Sequence, residues 1–226
     1  MPLQIAIDGP VASGKSTVAR LLARRLECTF LDTGALYRAV ALSALQQGIA
    51  PDDERAVASM VGESDPKVFV DARSPLGYTI HLRGKALGEE LFAPAVSQAV
   101  SAIAANAAVR KHLIAAQREF ADDRDVIMAG RDIGSVVLPD ATFKFFLTAS
   151  VGARVDRRLR ELHDKGIAID RDTLTKEIER RDERDRTRKA SPLVVAPDAI
   201  VIDSSDRNAD QVVDVLEAKV REARPA

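Results

Sequence analysis

The chain has 226 residues, 46% of them hydrophobic, so it can bury a sizeable core as one domain or two small ones. Its 33 basic and 34 acidic residues leave a net charge of −1, which argues against a broad nucleic-acid-binding surface. Cys28 is the sole cysteine, and no apolar run is long enough to span a membrane. We therefore expect a cytoplasmic protein that binds neither nucleic acid nor membrane. No long apolar stripe is left unused, so we expect a monomer.

The first predicted elements are a strand over residues 3–8, a glycine-rich loop and a helix over residues 15–26. The loop has the spacing G-x-x-x-x-G-K-[ST]. Its glycines let backbone N–H groups approach phosphate oxygens, and the helix adds the positive end of its dipole. Lys15 can reach the β- and γ-phosphates of a nucleotide, and the Ser16 hydroxyl can hold Mg²⁺. The pattern predicts a nucleotide phosphate site made of Gly9, Pro10, Val11, Ala12, Ser13, Gly14, Lys15, Ser16 and Thr17.

Farther along the chain, apolar strands alternate with helices. Further strands are predicted over residues 28–32, 125–129, 144–148 and 199–203. Helices are predicted over residues 35–47, 52–60, 93–117, 150–163, 171–188 and 208–222. Two short alternating runs, over residues 67–71 and 78–83, predict an inserted β-hairpin. The alternation predicts an α/β protein of the P-loop NTPase-like kind, with a five-stranded parallel sheet covered by helices.

The segment from residue 154 to 188 is dense in charge. Arg180, Arg184 and Arg188 are spaced at i, i+4 and i+8, which places like charges on one face of a helix. Arginine suits two-pronged contact with phosphate, so a bound anion would explain the spacing. The alternative is a solvated helix stabilised by i,i+4 ion pairs, such as Arg181 with Asp185. We predict an arginine-rich helical lid that closes over phosphate and excludes water.

Three further arginines indicate a second phosphate. Ligands bind at the carboxyl ends of parallel strands, and Asp32-Thr33 and Gly130-Arg131-Asp132 follow such strands. Arg38 lies one turn into the helix after Thr33, and Arg110 lies on a helix of small and apolar residues. These residues predict a kinase that transfers a phosphoryl group directly, in line, to a small phosphorylated acceptor. Charge stabilisation of the transferred group is expected from the cations Lys15, Arg131, Arg181 and Arg184.

Six motifs occur in the order IDGPVASGKST, LDTGALYR, GRDIGSVVLPDA, FFLTAS, RRDERDRTR and SPLVVAPDA. With these motifs nearly the whole chain resembles bacterial cytidylate kinases, the (d)CMP kinases of the nucleoside monophosphate kinase group. The resemblance implies transfer of the γ-phosphoryl of ATP to CMP or dCMP, with Mg²⁺ held by Ser16. It also implies one kinase unit with three parts: a core over residues 1–62, 106–157 and 189–226, a small β-containing monophosphate-binding insertion over about 63–105, and a lid over about 158–188.

The resemblance also implies roles for individual residues. Arg157 would stack on the adenine of ATP. In the acceptor site, Arg38 and Arg131 would bind the CMP phosphate. The lid residues Arg181 and Asp185 would contact the sugar, and a further group of residues would contact the cytosine. The implied CMP-binding set is Thr33, Tyr37, Arg38, Ser101, Arg110, Arg131, Asp132, Arg181, Asp185 and Arg188. In the family the residue before Gly130 is usually acidic, whereas this chain has Ala129. The resemblance therefore does not define the arrangement of groups around the metal.

Three alternatives remain. The acceptor could be UMP, another monophosphate or a small hydroxyl metabolite, although several arginines argue against a neutral acceptor. A GTP-binding switch would need an N-K-x-D element, and neither Asn106 nor Asn208 is followed by Lys. A noncatalytic nucleotide-binding module would have no use for the arginines of the lid.

Overall fold

The computed structural model describes residues 2–164 and 166–223. Its central sheet has five strands: β1 (Gln4–Asp8), β2 (Thr29–Asp32), β6 (Val126–Gly130), β7 (Phe143–Thr148) and β8 (Ile200–Asp203). They lie in the order β2-β6-β1-β7-β8, and every pairing is parallel. The predicted α/β fold with a five-stranded parallel sheet is therefore confirmed. Residue 165 of the predicted lid, and residues 1 and 224–226 of the predicted core, lie outside the described residues.

Eight α-helices accompany the strands in the described part of the chain. They are α1 (Lys15–Arg25), α2 (Gly34–Gln46), α3 (Glu54–Ser64), α4 (Pro94–Ile103), α5 (Ala107–Ala121), α6 (Val151–Asp164), α7 (Arg171–Thr187) and α8 (Ala209–Ala223). A 3₁₀ turn covers Glu89–Phe92, and a short π-helical turn covers Ile133–Val137. Across residues 2–164 and 166–223, no helix is long and apolar enough to cross a membrane.

The central strands are apolar on both faces because both faces are covered. Ile5, Ile7 and Ile127 have no exposed surface, and the two strands that carry them pair in register from Gln4–Val126 to Asp8–Gly130. This register brings the carboxyl ends of β1 and β6 to the same level. The loop after β1 and the turn after β6 therefore emerge side by side, as the rule for ligand sites in such sheets requires.

Glycine is required where the chain leaves β1. Gly9 has a φ of +153°, and a Cβ placed there would lie 2.1 Å from the carbonyl oxygen of Leu147 at the neighbouring strand β7. Gly14 has a φ of +88° directly before α1. Both conformations are accessible to glycine at little cost, which explains the two glycines of the loop.

The inserted β structure has one strand more than predicted. Strands β3 (Lys67–Val70), β4 (Tyr78–Leu82) and β5 (Lys85–Leu87) form a separate antiparallel sheet. The turn between β4 and β5 consists of Arg83 and Gly84, both with positive φ, as a two-residue hairpin needs. The prediction of a two-stranded hairpin was incomplete, because a strand of three residues with exposed Lys85 lacks a visible alternation.

The predicted helix over residues 93–117 was wrong in one respect, because the segment forms two helices. The break lies at Asn106, which has extended backbone and begins α5. Its side-chain oxygen accepts hydrogen bonds from the N–H groups of Ala108 and Val109, and its amide donates to the Glu54 carbonyl. Apolar periodicity on both sides of the break hides it, although Asn is a favoured N-cap residue. Ser101 and Arg110 therefore lie on different helices.

We expect Asn106→Ala to lower the free energy of unfolding by about 2 kcal/mol, because it removes a cap and a buried bond to α3. Urea denaturation measures the loss. The matched control is Asp53→Ala, which removes an exposed cap with a single bond to the Ala56 N–H and should cost about 1 kcal/mol. Equal losses for the two variants would show that the bond between Asn106 and Glu54 contributes nothing.

Candidate active site

The phosphate loop between β1 and α1 holds its lysine out of water. The Nζ of Lys15 donates a hydrogen bond to the Pro10 carbonyl at 2.8 Å, and the side chain is buried. Burial, together with repulsion from Arg131, lowers the pKa of Lys15 well below its ordinary value. A phosphate group bound in the loop would favour the charged form of this lysine and engage it.

A carboxylate at the end of β2 joins the N-termini of two helices. Asp32 accepts a hydrogen bond from the Ser16 hydroxyl at 2.6 Å through Oδ2 and one from the Gly34 N–H at 2.9 Å through Oδ1. Ser16 belongs to the first turn of α1, and Gly34 begins α2. A hydroxyl and a carboxylate oxygen side by side are the ligand types that Mg²⁺ takes, so these residues fit that ion.

One cavity adjoins the phosphate loop and collects the predicted acceptor residues. From the loop it includes Val11, Ala12, Lys15 and Ser16. Every member of the predicted CMP-binding set also lines it: Thr33, Tyr37, Arg38, Ser101, Arg110, Arg131, Asp132, Arg181, Asp185 and Arg188. These residues come from α2 with its N-terminal cap, α4, α5, the turn after β6, and α7 with its C-terminal cap. The sequence separates them by more than 150 positions, and the fold brings them together.

Two arginines of this cavity face each other across α7 and the turn after β6. The Nε of Arg131 donates to Asp185 at 2.7 Å. Burial alone would raise the pKa of Asp185, but the guanidinium of Arg131 lowers it below its ordinary value. Arg181 has no hydrogen bond or ion pair to any residue that the structure describes. Burial, and then Arg131, lowers the pKa of Arg181 to about 10, so this cation has unused binding capacity for an anion.

A second group of charged side chains forms the far wall of the cavity. Arg110 donates through Nη2 to Asp132 and through Nη1 to the Ala104 carbonyl at 3.0 Å, with its guanidinium 5.2 Å above the Tyr37 ring. Arg188 approaches Asp132 at 3.8 Å through Nη2, which is buried and finds no hydrogen-bond partner among residues 2–164 and 166–223. Buried donors left unsatisfied by the protein point to a polar ligand.

Arg157 lies in a second cavity on the other side of the phosphate loop. Its guanidinium donates to the Ser13 carbonyl, to both oxygens of Ser204 and to the Arg207 carbonyl, so its plane is fixed. Other predicted loop residues in this cavity are Ala12, Ser13, Gly14 and Thr17. A fixed guanidinium plane is suited to stacking on a planar ring. Gly9 and Pro10 line neither cavity and instead shape the loop.

The predicted row of arginines on α7 differs from the structure at one position. The helix ends at Thr187, and Arg188 is its cap, so Arg188 leaves the helical row and enters the first cavity. Arg180 and Arg184 are exposed and line a groove between α4 and α7 beside that cavity. Arg184 shares this groove with Arg181, but of these two only Arg181 also lines the cavity of Lys15 and Arg131.

A buried ion pair attaches α7 to the phosphate loop. Arg154 is 4% exposed and Asp182 is 3% exposed, and their charged groups lie 2.5 Å apart. Arg154 also donates to the Val11 carbonyl at 3.1 Å, and Asp182 accepts from the Val11 N–H at 3.4 Å. The Val11 side chain packs against a small apolar cluster of α6 and α7 that includes Ile178. Both the backbone and the side chain of Val11 thus contact this unit.

Sequence reasoning assigned no role to several residues of the first cavity, among them Asp32, Arg158 and Glu161. Asp32 had a visible signal, since it ends an apolar strand. Its position also bears on Ala129, because Asp32 and Ala129 are paired residues on adjacent strands. Paired residues of parallel strands point to the same face. A carboxylate is therefore present one strand away from the position where the acidic residue of the family is missing.

A glycine-rich phosphate loop beside a cavity lined by several arginines defines this protein as a P-loop kinase. The family model described as cytidylate kinase matches residues 5–222. A cytidylate kinase from Caldanaerobacter subterraneus subsp. tengcongensis is 42% identical over 221 residues, which cover 98% of this chain and 96% of the relative. Another, from Pelotomaculum thermopropionicum, is 45% identical over 220 residues, covering 97% and 96%. The chain belongs to the cytidylate kinase family, as its motifs predicted.

Solved structures of low sequence identity share the fold. A shikimate kinase from Bacteroides thetaiotaomicron has a TM-score of 0.51 at 14% identity and covers 97% of this chain and 98% of its own. A gluconokinase from Sinorhizobium meliloti has a TM-score of 0.50 at 14% identity, covering 98% and 95%. At such identity the likeness concerns the fold alone, and it agrees with a P-loop kinase architecture.

We expect Asp182→Asn to lower the free energy of unfolding by about 3–5 kcal/mol, because it leaves the buried charge of Arg154 uncompensated. Urea denaturation followed by circular dichroism measures the change. The control is Arg221→Gln, which breaks an exposed pair with Glu217 on α8 and should cost less than about 1 kcal/mol. A loss for Asp182→Asn no larger than that of the control would mean that the pair does not hold α7 to the loop.

Proposed function

We propose that the protein transfers the γ-phosphoryl group of ATP to CMP or dCMP, giving ADP and CDP or dCDP. The observation that carries the proposal is the single cavity in which Lys15 and Ser16 of the phosphate loop meet Arg38, Arg131 and Arg181. A donor nucleotide in the phosphate loop and a phosphorylated acceptor among the arginines would have their phosphates next to each other there. Membership of the cytidylate kinase family supports the same reaction.

The donor would lie in the phosphate loop, with its base in the cavity beyond. The backbone N–H groups of the loop after Pro10, from Val11 to Thr17, and the Lys15 ammonium would hold the phosphates. The fixed guanidinium of Arg157 would stack on the adenine. The Ser16 hydroxyl would hold Mg²⁺ together with the neighbouring carboxylate oxygen of Asp32. The ion would neutralise part of the charge on the donor phosphates.

In the acceptor half, cations would orient the nucleophile and stabilise the transferred charge. Arg38 and Arg131 would bind the CMP phosphate. Arg38 is preoriented by hydrogen bonds to the Leu91 carbonyl and, at 2.8 Å, to the Ser97 hydroxyl. A phosphate oxygen needs little help from a base, so Lys15, Arg131 and Arg181 would act by position and charge. Arg184 would join them only if α7 moved, because it lies in the neighbouring groove.

The base of the acceptor would be recognised by the wall of Ser101, Arg110, Asp132 and Arg188. This wall presents donors and a carboxylate acceptor, the complement of the carbonyl, ring nitrogen and amino group of cytosine. Arg181 and Asp185 would contact the sugar, with Thr33 and Tyr37 beside the phosphate. Among the described residues, neither Nη2 of Arg188 nor Nε of Arg110 finds a hydrogen-bond partner, which supports a polar ligand at this wall.

We further propose the division into a core, a monophosphate-binding insertion over about 63–105 and a lid over about 158–188. The insertion contributes Ser101, and α7 contributes Arg181 and Asp185, so both segments would have to contact the ligand. A monomer working in the cytoplasm completes the proposal, with nucleotides as its only partners. A single cysteine is consistent with a reducing compartment.

The test of the function is ADP release from ATP and Mg²⁺ with the acceptor varied among CMP, dCMP, UMP, AMP, GMP, TMP and shikimate. We expect turnover to be led by CMP and dCMP, because the wall of the cavity is complementary to cytosine. The control variant is Lys15→Ala, which should abolish turnover while the circular dichroism spectrum stays unchanged.

Turnover led by another acceptor would contradict the assignment of the base while keeping the kinase. ATP binding without turnover of any acceptor would favour a noncatalytic nucleotide-binding module. An active Lys15→Ala variant would show that the phosphate loop does not act as proposed.

We expect Arg188→Ala to raise the KM for CMP by roughly 10- to 100-fold, since a hydrogen bond from a charged group contributes about 1.5–3 kcal/mol. The KM for ATP should change little, and the preference for CMP over UMP should fall. Steady-state kinetics with each substrate varied measures both effects. The matched control is Arg186→Ala, an exposed arginine of the last turn of α7 that lines neither cavity. Unchanged CMP constants in Arg188→Ala would contradict the role of Arg188.

A further inference from the structure

A buried carboxylate at the end of β1 has no part in the proposed chemistry. Asp8 is 6% exposed and directly precedes Gly9 of the phosphate loop. We infer that Asp8 is a positioning residue of the acceptor half, which holds the turn carrying Arg131 and Asp132 against the strand that leads into the phosphate loop. The inference rests on the proposed function, because the acceptor half is defined there.

The two oxygens of Asp8 bind two consecutive backbone groups. Oδ1 accepts from the N–H of Ile133 at 2.9 Å, and Oδ2 accepts from the N–H of Gly134 at 2.8 Å. These N–H groups begin the short π-helical turn Ile133–Val137, where the first N–H groups of a helical segment have no partner within the segment. The bonds span about 125 positions of the sequence and join β1 to the chain after β6.

The anchored turn directly follows two residues of the cavity. Arg131 and Asp132 lie between the end of β6 at Gly130 and the N–H groups that Asp8 binds. Gly130 is itself tightly packed, since a Cβ there would lie 2.8 Å from Thr33 Oγ1. The backbone of the two residues is thus fixed on one side by the sheet and on the other by Asp8. These two attachments determine where Arg131 and Asp132 enter the cavity.

Apart from the two hydrogen bonds that it accepts, a charged carboxylate at this buried position is energetically unfavourable. Burial, with a contribution from Asp132, raises the pKa of Asp8 to about 6, while the two N–H groups and Lys15 act in the opposite direction. A neutral amide would avoid the cost of burying a charge, but it offers one acceptor oxygen instead of two. The structure thus retains a costly group whose particular capacity is to fix two adjacent N–H groups. Fixed geometry at reacting groups is worth large factors in rate.

Asp8→Asn tests the inference, because it keeps the size of the side chain and turns an amide donor toward one of the two N–H groups. We expect the KM for CMP to rise by about tenfold and kcat to fall, with the KM for ATP within about twofold of wild type. Amide exchange followed by NMR should show loss of protection at Ile133 and Gly134, with the rest of β6 unchanged. Should Asp8→Asn lack a cooperative unfolding transition, Asp8→Ser replaces it with the same expectations.

The matched control is Asp125→Asn. Asp125 accepts a hydrogen bond from the Leu3 N–H at 2.6 Å, so it also joins β1 to the β6 region, but at the opposite end of the sheet. This variant should leave both KM values unchanged. Unchanged CMP constants in Asp8→Asn, or equal increases in the KM for CMP and for ATP, would overturn the inference. A wild-type protein inactive on CMP would instead overturn the proposed function, and the exchange of the two amides would then decide alone whether Asp8 holds the turn.

Discussion

The structure depends on one electrostatic constraint: cations that burial and mutual repulsion destabilise are held together at the carboxyl edge of one sheet. Burial first, and then repulsion from Arg131, lowers the pKa of Lys15 and of Arg181 below their ordinary values. Such a cluster persists only because the parallel register and the phosphate loop fix the backbone that carries it. The same repulsion becomes favourable binding energy once phosphate groups lie among the cations, which is the electrostatic requirement of phosphoryl transfer.

The arginines of the protein fall into two groups by how fully the protein satisfies them. Arg154 is largely satisfied, because its Nη1 donates to Asp182 at 2.5 Å and to the Val11 carbonyl, and its Nε donates to the Ala149 carbonyl. Arg188 donates through Nε to the Ser191 carbonyl at 2.7 Å, but its Nη atoms come only within 3.8 Å of Asp132 and Asp185. Arg181 has no hydrogen bond or ion pair in the described part of the chain. A saturated buried pair acts as a structural connection, whereas loosely satisfied guanidinium groups retain the capacity to bind a ligand. This difference separates Arg154, which connects α6 to α7, from Arg181 and Arg188, for which we propose a role in ligand binding.

Much of the fold could be predicted, because fully apolar runs of five or six residues are typical of central parallel strands. The order β2-β6-β1-β7-β8 could not, since nothing local in the sequence records which strands become neighbours. The break at Asn106 was missed because apolar periodicity continues on both sides, and β5 because three residues are too few to show a pattern. In the site, the phosphate loop and the arginines had recognisable spacing. Asp32 was visible only as the residue that ends an apolar strand, and Asp8 was not singled out, because its role arises from hydrogen bonds to residues about 125 positions away.

Three carboxylates have a common structural role that the arginines cannot fill. Asp32 binds the Ser16 hydroxyl and the Gly34 N–H, Asp182 binds the Val11 N–H, and Asp8 binds two N–H groups after Asp132. Each joins the phosphate loop or its strand to another segment that lines the cavity. Long arginine side chains have many rotamers, so they cannot by themselves define the distance between donor and acceptor. In-line transfer needs that distance to be fixed, and we infer that these short carboxylates fix it through the backbone.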